Sequence, residues 1–147
     1  MKRMTILFVV LGLLLAACGG GEVAEVEALT VTVDGTEEAA YSVSDLEGMA
    51  EAQAEFQGTT YVGVPVVDLL EAAGVDPAQV ESVKAVAADG YSMSYQPALF
   101  TREDVLVAYG TADGALAGDD GTFRMVLPGE EGKLNVRMLA ELEVTTQ

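Results

Sequence analysis

Four Asp-Gly steps, Asp34-Gly35, Asp89-Gly90, Asp113-Gly114 and Asp120-Gly121, cut the chain beyond Ala28 into short apolar runs. Asp-Gly suits a two-residue hairpin turn, because the turn needs positive φ and glycine adopts it at no steric cost. A chain punctuated this often has no room for a bundle of long helices. It is restricted to short strands joined by tight turns, with brief helices between them. Leu29 to Gly35 (LTVTVDG) alternates and ends on the first step, so it predicts a strand entering a turn. Ser44-Asp45-Leu46-Glu47 has capping-box spacing and predicts a short helix from Ser44. Phe56 to Val64 (FQGTTYVGV), interrupted by Gly58 and Gly63, reads as strand plus loop. Pro65 suits the first turn of a helix through VVDLLEAA that Gly74 stops, with Val66, Leu69, Leu70 and Ala73 on one apolar face. Further strands are expected in VESVKAVAA (80–88), YSMSY (91–95), VLVAY (105–109), TFRMVLPG (122–129) and VRMLAELEV (136–144). Together these segments make a compact, β-rich α+β domain with mixed sheets and short helices.

The start of the chain belongs to no such core. MKRMTILFVVLGLLLAAC places Lys2 and Arg3 before an uncharged apolar stretch from Thr5 to Leu15 and then small residues. This is the layout of a secretory signal over residues 1–17. The stretch falls short of the roughly 20 apolar residues that a spanning helix needs. Leu15-Ala16-Ala17-Cys18 resembles a bacterial lipobox. That resemblance implies cleavage before Cys18 and lipid on its sulfur and new amino terminus, several acyl chains holding far better than one. Residues 18–28 then form the lipidated cysteine and a flexible tether (GGGEVAEVEA after Cys18), and 29–147 the folded domain. The expected location is the extracytoplasmic face of a bacterial cell membrane, in the periplasm or at the cell surface.

Cys18 is the only cysteine, so the core is held together without a disulfide. The chain has no histidine, which excludes a Ser-His-Asp triad, His-ligated zinc and His-ligated haem within it. Its formal net charge is −17, and loss of Lys2 and Arg3 with the signal makes the mature chain more acidic still. Phosphate repulsion excludes a nucleic-acid partner, and the same charge opposes docking of the folded part on anionic lipid. Asp113, Asp119 and Asp120 offer hard oxygen donors in one loop but fit no EF-hand spacing, so a solvated turn is expected. Met49, Met93, Met125 and Met138 are expected as core filler.

Five segments in one order carry a wider resemblance: YSVSDLEGM, YVGVPVVDLLEAAGV, AADGYSMSY, VLVAYGTADGALAGDDGTFRMVLPG and RMLAELEV. A helix-starting Ser-Asp-Leu, a Gly-Val-Pro ahead of a leucine-rich helix, an Asp-Gly-Tyr-Ser turn and an Arg-x-x-x-Pro-Gly strand recur in this order in one family. The chain resembles this sulfite-oxidase-like, molybdopterin-binding oxidoreductase domain from about Tyr41 to Val144. The family's enzymes hold molybdenum on a pterin dithiolene, with one protein cysteine thiolate supplied by the segment ahead of Gly-Val-Pro. Here that segment, Ala54 to Pro65 (AEFQGTTYVGVP), is shorter and contains no cysteine. Phe56, Gln57 and Thr59 supply no soft donor, and lipidation would turn Cys18 into a thioether. The family's cofactor-contacting histidine has no counterpart. The resemblance therefore implies a scaffold kept without its redox centre, fold and chemistry being separable.

The same resemblance supplies candidate ligand residues. Arg124 matches the arginine of the Arg-x-x-x-Pro-Gly strand, and Lys133 and Arg137 lie near the basic positions where the enzymes hold the cofactor's phosphate. In so acidic a chain a local positive cluster can select an anionic or polar ring ligand, or each cation can pair with a carboxylate. Asp89, Gly90, Tyr91, Ser92 and Ser94 offer hydroxyls and an aromatic ring to a pterin-like ligand, or form an ordinary turn and strand. Tyr61 and Gly63, beside the segment that lacks the cysteine, can accept a flat ring or end a packed strand. The expected function is a lipid-anchored, non-catalytic module that binds a small polar ring compound and signals to a membrane protein partner. No catalytic residue, no metal and no resident cofactor is expected; pterin or molybdopterin is the ligand the resemblance admits. Two alternatives stay open: a molybdopterin-dependent oxidoreductase without a protein thiolate ligand, and a structural or adaptor lipoprotein whose acidic face binds a protein.

Overall fold

The computed structural model describes residues 26–147; Cys18, the lipobox and most of the tether lie outside the described residues. β1 (Leu29–Val33) turns at Asp34-Gly35 into β2 (Thr36–Tyr41), and α1 (Val43–Glu47) follows. β3 (Ala52–Phe56) and β4 (Thr59–Pro65) form a hairpin that runs straight into α2 (Val66–Ala72). Next come β5 (Val80–Ala87), β6 (Ser92–Tyr95), α3 (Pro97–Phe100), β7 (Leu106–Thr111) and β8 (Gly114–Ala115). β9 (Arg124–Val126) and β10 (Leu139–Thr146) close the chain, with 3₁₀ turns at Pro77–Gln79, Gly118–Asp120 and Gly132–Leu134.

Two sheets result, and the expected β-rich α+β architecture is the one that forms. The first has the order β2-β1-β10-β5-β6, with β1 and β10 parallel and the other neighbours antiparallel. The second has the order β3-β4-β7-β8, with β9 alongside the first half of β7. Strand alternation decides which residues meet between them. Val31, Val83 and Leu142 from the first sheet and Val64, Val107 and Met125 from the second are fully buried in one cluster. Leu46 of α1, Leu69 and Leu70 of α2 and Phe100 of α3 join it. Each such side chain contributes about 1.5–3 kcal/mol. The residues between them in sequence, Leu106, Ala108 and Val126, point the other way and build a second, smaller cluster with Ala54 and Tyr61.

Several elements differ from expectation for identifiable reasons. The cap of α1 is Ser42, two residues before the expected Ser44. Ser42 Oγ accepts from the Asp45 N–H at 3.2 Å, while Asp45 Oδ2 accepts from the Ser42 N–H at 2.8 Å, so Asp45 closes the box. Gly63 lies inside β4, at a register shift against β7, where a Cβ would fall 2.1 Å from the Val107 carbonyl oxygen. Only glycine lets the two backbones approach this closely. The strand expected over 122–129 shrinks to Arg124–Val126, because the Phe123 carbonyl accepts from Leu139 N–H and the Leu127 N–H turns to Asn135. The last strand starts at Leu139 because Met138 takes φ 50°, outside the β region.

Candidate ligand site

The turn between β5 and β6 and the segment after Pro128-Gly129 come together at one end of the first sheet. Asp89 Oδ1 accepts from the Tyr91 N–H at 3.0 Å, a local Asx turn around Gly90 at φ 90°. Two tyrosines then hold the facing 3₁₀ turn. Tyr91 Oη donates to the Lys133 carbonyl at 2.8 Å and Tyr95 Oη to the Leu134 carbonyl at 2.6 Å. Burial pushes the Tyr95 phenol far above its ordinary value, so it remains a proton donor. Asn135 braces the turn from behind: its Oδ1 accepts from Leu127 N–H at 2.6 Å and its Nδ2 donates to the Glu131 carbonyl at 3.2 Å.

Between these walls lies a cleft of about 380 Å³, lined by Asp89, Tyr91, Lys133, Asn135, Arg137 and Met138 among others. A volume of this order holds a small molecule. Met138, expected as core filler, lines this cleft, whereas Met49, Met93 and Met125 do pack in or against the core. Its left-handed backbone is pinned from both sides: its N–H donates to the Asp120 carbonyl at 2.7 Å and its carbonyl accepts from Ala88 N–H at 2.8 Å.

Charge is distributed unevenly over the five cations of the described residues. Lys84 meets Glu143 at 2.8 Å, Arg102 meets Asp104 and Glu130 at 2.9 Å, Arg124 meets Asp120 at 2.6 Å and Lys133 meets Glu131 at 2.7 Å. Hydrogen bonding to Glu131 raises the Lys133 ammonium above its usual value and holds the Glu131 carboxyl below its own. Arg137 alone among the described cations has no carboxylate of the described residues in salt-bridge range.

Of the residues singled out in the sequence, Asp89, Tyr91, Lys133 and Arg137 line this cleft, and Gly90 shapes the turn beside it. Ser92 and Ser94 sit on β6 opposite Val86 and Lys84 and do not line it. Arg124, Tyr61 and Gly63 belong to the second sheet. Arg124 is 5% exposed; its Nη1 donates to Asp120 Oδ1 and, at 2.9 Å, to Tyr61 Oη, and its guanidinium lies 4.6 Å from the Tyr61 ring centroid and 5.8 Å from that of Phe56. Asp120 is therefore no solvated turn residue: it is buried as the counter-ion of Arg124, which would be costly to bury unpaired. Asp113 and Asp119 are exposed as expected. Asn135 and Met138 were not singled out as site residues. Neither residue type announces a buried brace or a left-handed backbone, and the bonds that create both roles come from distant segments.

Residues 26–147 contain no cysteine and no histidine, and among them no three acidic side chains converge to hold an ion. The segment 54–65, where a thiolate ligand would be sought, is the β3–β4 hairpin, with Ala54 and Tyr61 packed in the second cluster. These residues do not fit a metal ligated by a protein thiolate.

The fold is similar to the crystal structure of the sulfane dehydrogenase SoxCD from Paracoccus pantotrophus, with a TM-score of 0.67 and 23% identity. The likeness covers 82% of this chain and 38% of that one, so this chain spans well under half of its length. No curated protein matches the sequence. The family described as the oxidoreductase molybdopterin binding domain matches residues 21–147, nearly the whole chain. The chain belongs to the oxidoreductase molybdopterin-binding domain family.

Proposed function

We propose that this family member is a lipid-anchored, extracytoplasmic binding module that holds a small polar ring ligand, such as a pterin, without carrying out redox chemistry itself. Arg137 is the observation that carries the reading. In a chain of net charge −17 it stands without a carboxylate partner among the described residues, on the same cleft as the exposed ring of Tyr91. A guanidinium presents a planar fork of N–H donors to paired acceptors on an anionic group or a polar ring edge, and a tyrosine face accepts a flat ring.

The non-catalytic part rests on donor chemistry. Molybdenum on a protein thiolate needs a soft ligand, and the only thiol in the sequence, Cys18, sits in the stretch that resembles a lipobox. Among the described residues no helix is long and apolar enough to cross a membrane, so attachment in this proposal falls to the lipid on Cys18.

Calorimetric titration of the full chain with tetrahydropterin tests the ligand part. Saturable binding is expected, weakened at least about tenfold in Arg137→Met, which corresponds to loss of roughly 1.4 kcal/mol. Absence of any saturable heat in the unaltered chain would remove pterins from the ligands of this reading.

A further inference from the structure

Asp89 and Arg137 carry opposite charges into one cleft, yet no salt bridge joins them and neither pairs with another charged side chain among the described residues. Backbone fixes the Asp89 side chain, and for Arg137 it fixes the neighbouring residue. Asp89 is fixed through Oδ1 by the Tyr91 N–H, and its Oδ2 has no donor among the described residues. Arg137 precedes Met138, whose backbone is bonded to Asp120 on one side and to Ala88, the neighbour of Asp89, on the other. The two charges thus line the same space without pairing with each other.

From this arrangement we infer that the cleft selects a small zwitterionic ring compound, its carboxylate on Arg137 and its ammonium or protonated ring nitrogen on Asp89. The inference rests on the cleft being a ligand site, and it adds the charge class. Lys133 adds little net positive charge, because Glu131 sits 2.7 Å from its ammonium. The cleft therefore offers one cation and one anion. A purely anionic ligand meets Asp89 and the field of a chain at −17, and a purely cationic one meets Arg137. Only a ligand with both charges satisfies both walls. Tyr91, 44% exposed and with its hydroxyl fixed on Lys133, adds a ring face that attracts both an aromatic ring and an ammonium group.

Titration with three compounds that share one ring separates the possibilities: L-phenylalanine, 3-phenylpropionate and 2-phenylethylamine. The set 4-(aminomethyl)benzoate, 4-methylbenzoate and 4-methylbenzylamine covers a wider charge separation. At least one zwitterion is expected to bind about tenfold tighter than either of its single-charge analogues. Asp89→Asn, which keeps an acceptor for the Tyr91 N–H, should reduce that zwitterion to the affinity of the carboxylate analogue. Arg137→Gln should reduce it to that of the amine. Single-charge carboxylates that bind as tightly as the zwitterions, or zwitterion binding unmoved by Asp89→Asn, would overturn the inference and leave an anion-binding cleft. Binding of tetrahydropterin that depends on Arg137, with none of the six compounds bound, would also overturn it while the broader reading stands. Failure of tetrahydropterin and all six compounds would remove both.

Discussion

Arg124 and Arg137 are both arginines of the last quarter of the chain, and the sequence offers no means of telling their fates apart. The fold sends Arg124 into the second apolar cluster against Asp120 at 2.6 Å, and leaves Arg137 exposed on the cleft. Asp120 ends a 3₁₀ turn four residues before Arg124, so their meeting depends on how that turn and Gly121 pack on Met138 rather than on spacing alone. Removing one partner strands a buried charge. Asp120→Ala should cost about 3–5 kcal/mol in urea unfolding, whereas the double change Asp120→Leu with Arg124→Met should cost clearly less. A single change within about 1 kcal/mol of wild type would mean that water reaches the pair. At Gly63 the constraint is steric: alanine there meets the Val107 carbonyl, and a loss of about 3 kcal/mol or more is expected.

Elements were legible where apolar pattern and punctuation agreed. β5 shows it, with Val83, Ala85 and Ala87 inward and Lys84 and Val86 between them, and so does α2, with Val66, Leu69 and Leu70 buried and Gly74 at φ 81° behind it. β2 (TEEAAY) was not legible, because two glutamates and two alanines carry no strand preference; it forms as the hairpin partner of β1. The cap of α1 differs from expectation because Ser42 and Ser44 each stand three residues before a carboxylate, and only backbone direction chooses between them. Ser42→Ala should therefore cost about 1 kcal/mol and Ser44→Ala no more than about 0.5 kcal/mol, measured by thermal unfolding. Acid should act on the same cap and on the β1–β2 turn. Hydrogen bonds from Ser42 hold the Asp45 carboxyl below its ordinary 3.8, and bonds from Thr146 do so for Asp34. Because the folded values lie below the unfolded ones, the stabilisation is complete above 3.8 and is lost as pH falls through the lower folded values. Asp34→Asn with Asp45→Asn should flatten the fall in Tm below that pH.

On the scale of the whole molecule, one core between two sheets accounts for the fold; the fold class was readable from the sequence and the order of strands was not. No periodicity announces that β10 inserts between β1 and β5. The cleft was half legible: Tyr91, Lys133 and Arg137 were named from the sequence, while Asn135 and the left-handed Met138 that shape its wall were not. Membrane attachment is proposed to belong to the leader rather than to the fold, so Cys18→Ala should move the protein from the membrane fraction to the soluble one without altering its melting temperature. A chain still membrane-bound after that change would place the contact elsewhere.

Native mass spectrometry of the protein purified from its own membrane, under molybdate-replete growth, bears most directly on the central claim that this scaffold holds a small organic ligand and no catalytic metal. The account predicts a single small organic adduct that disappears in Arg137→Met. An adduct bearing the isotope envelope of molybdenum would contradict it.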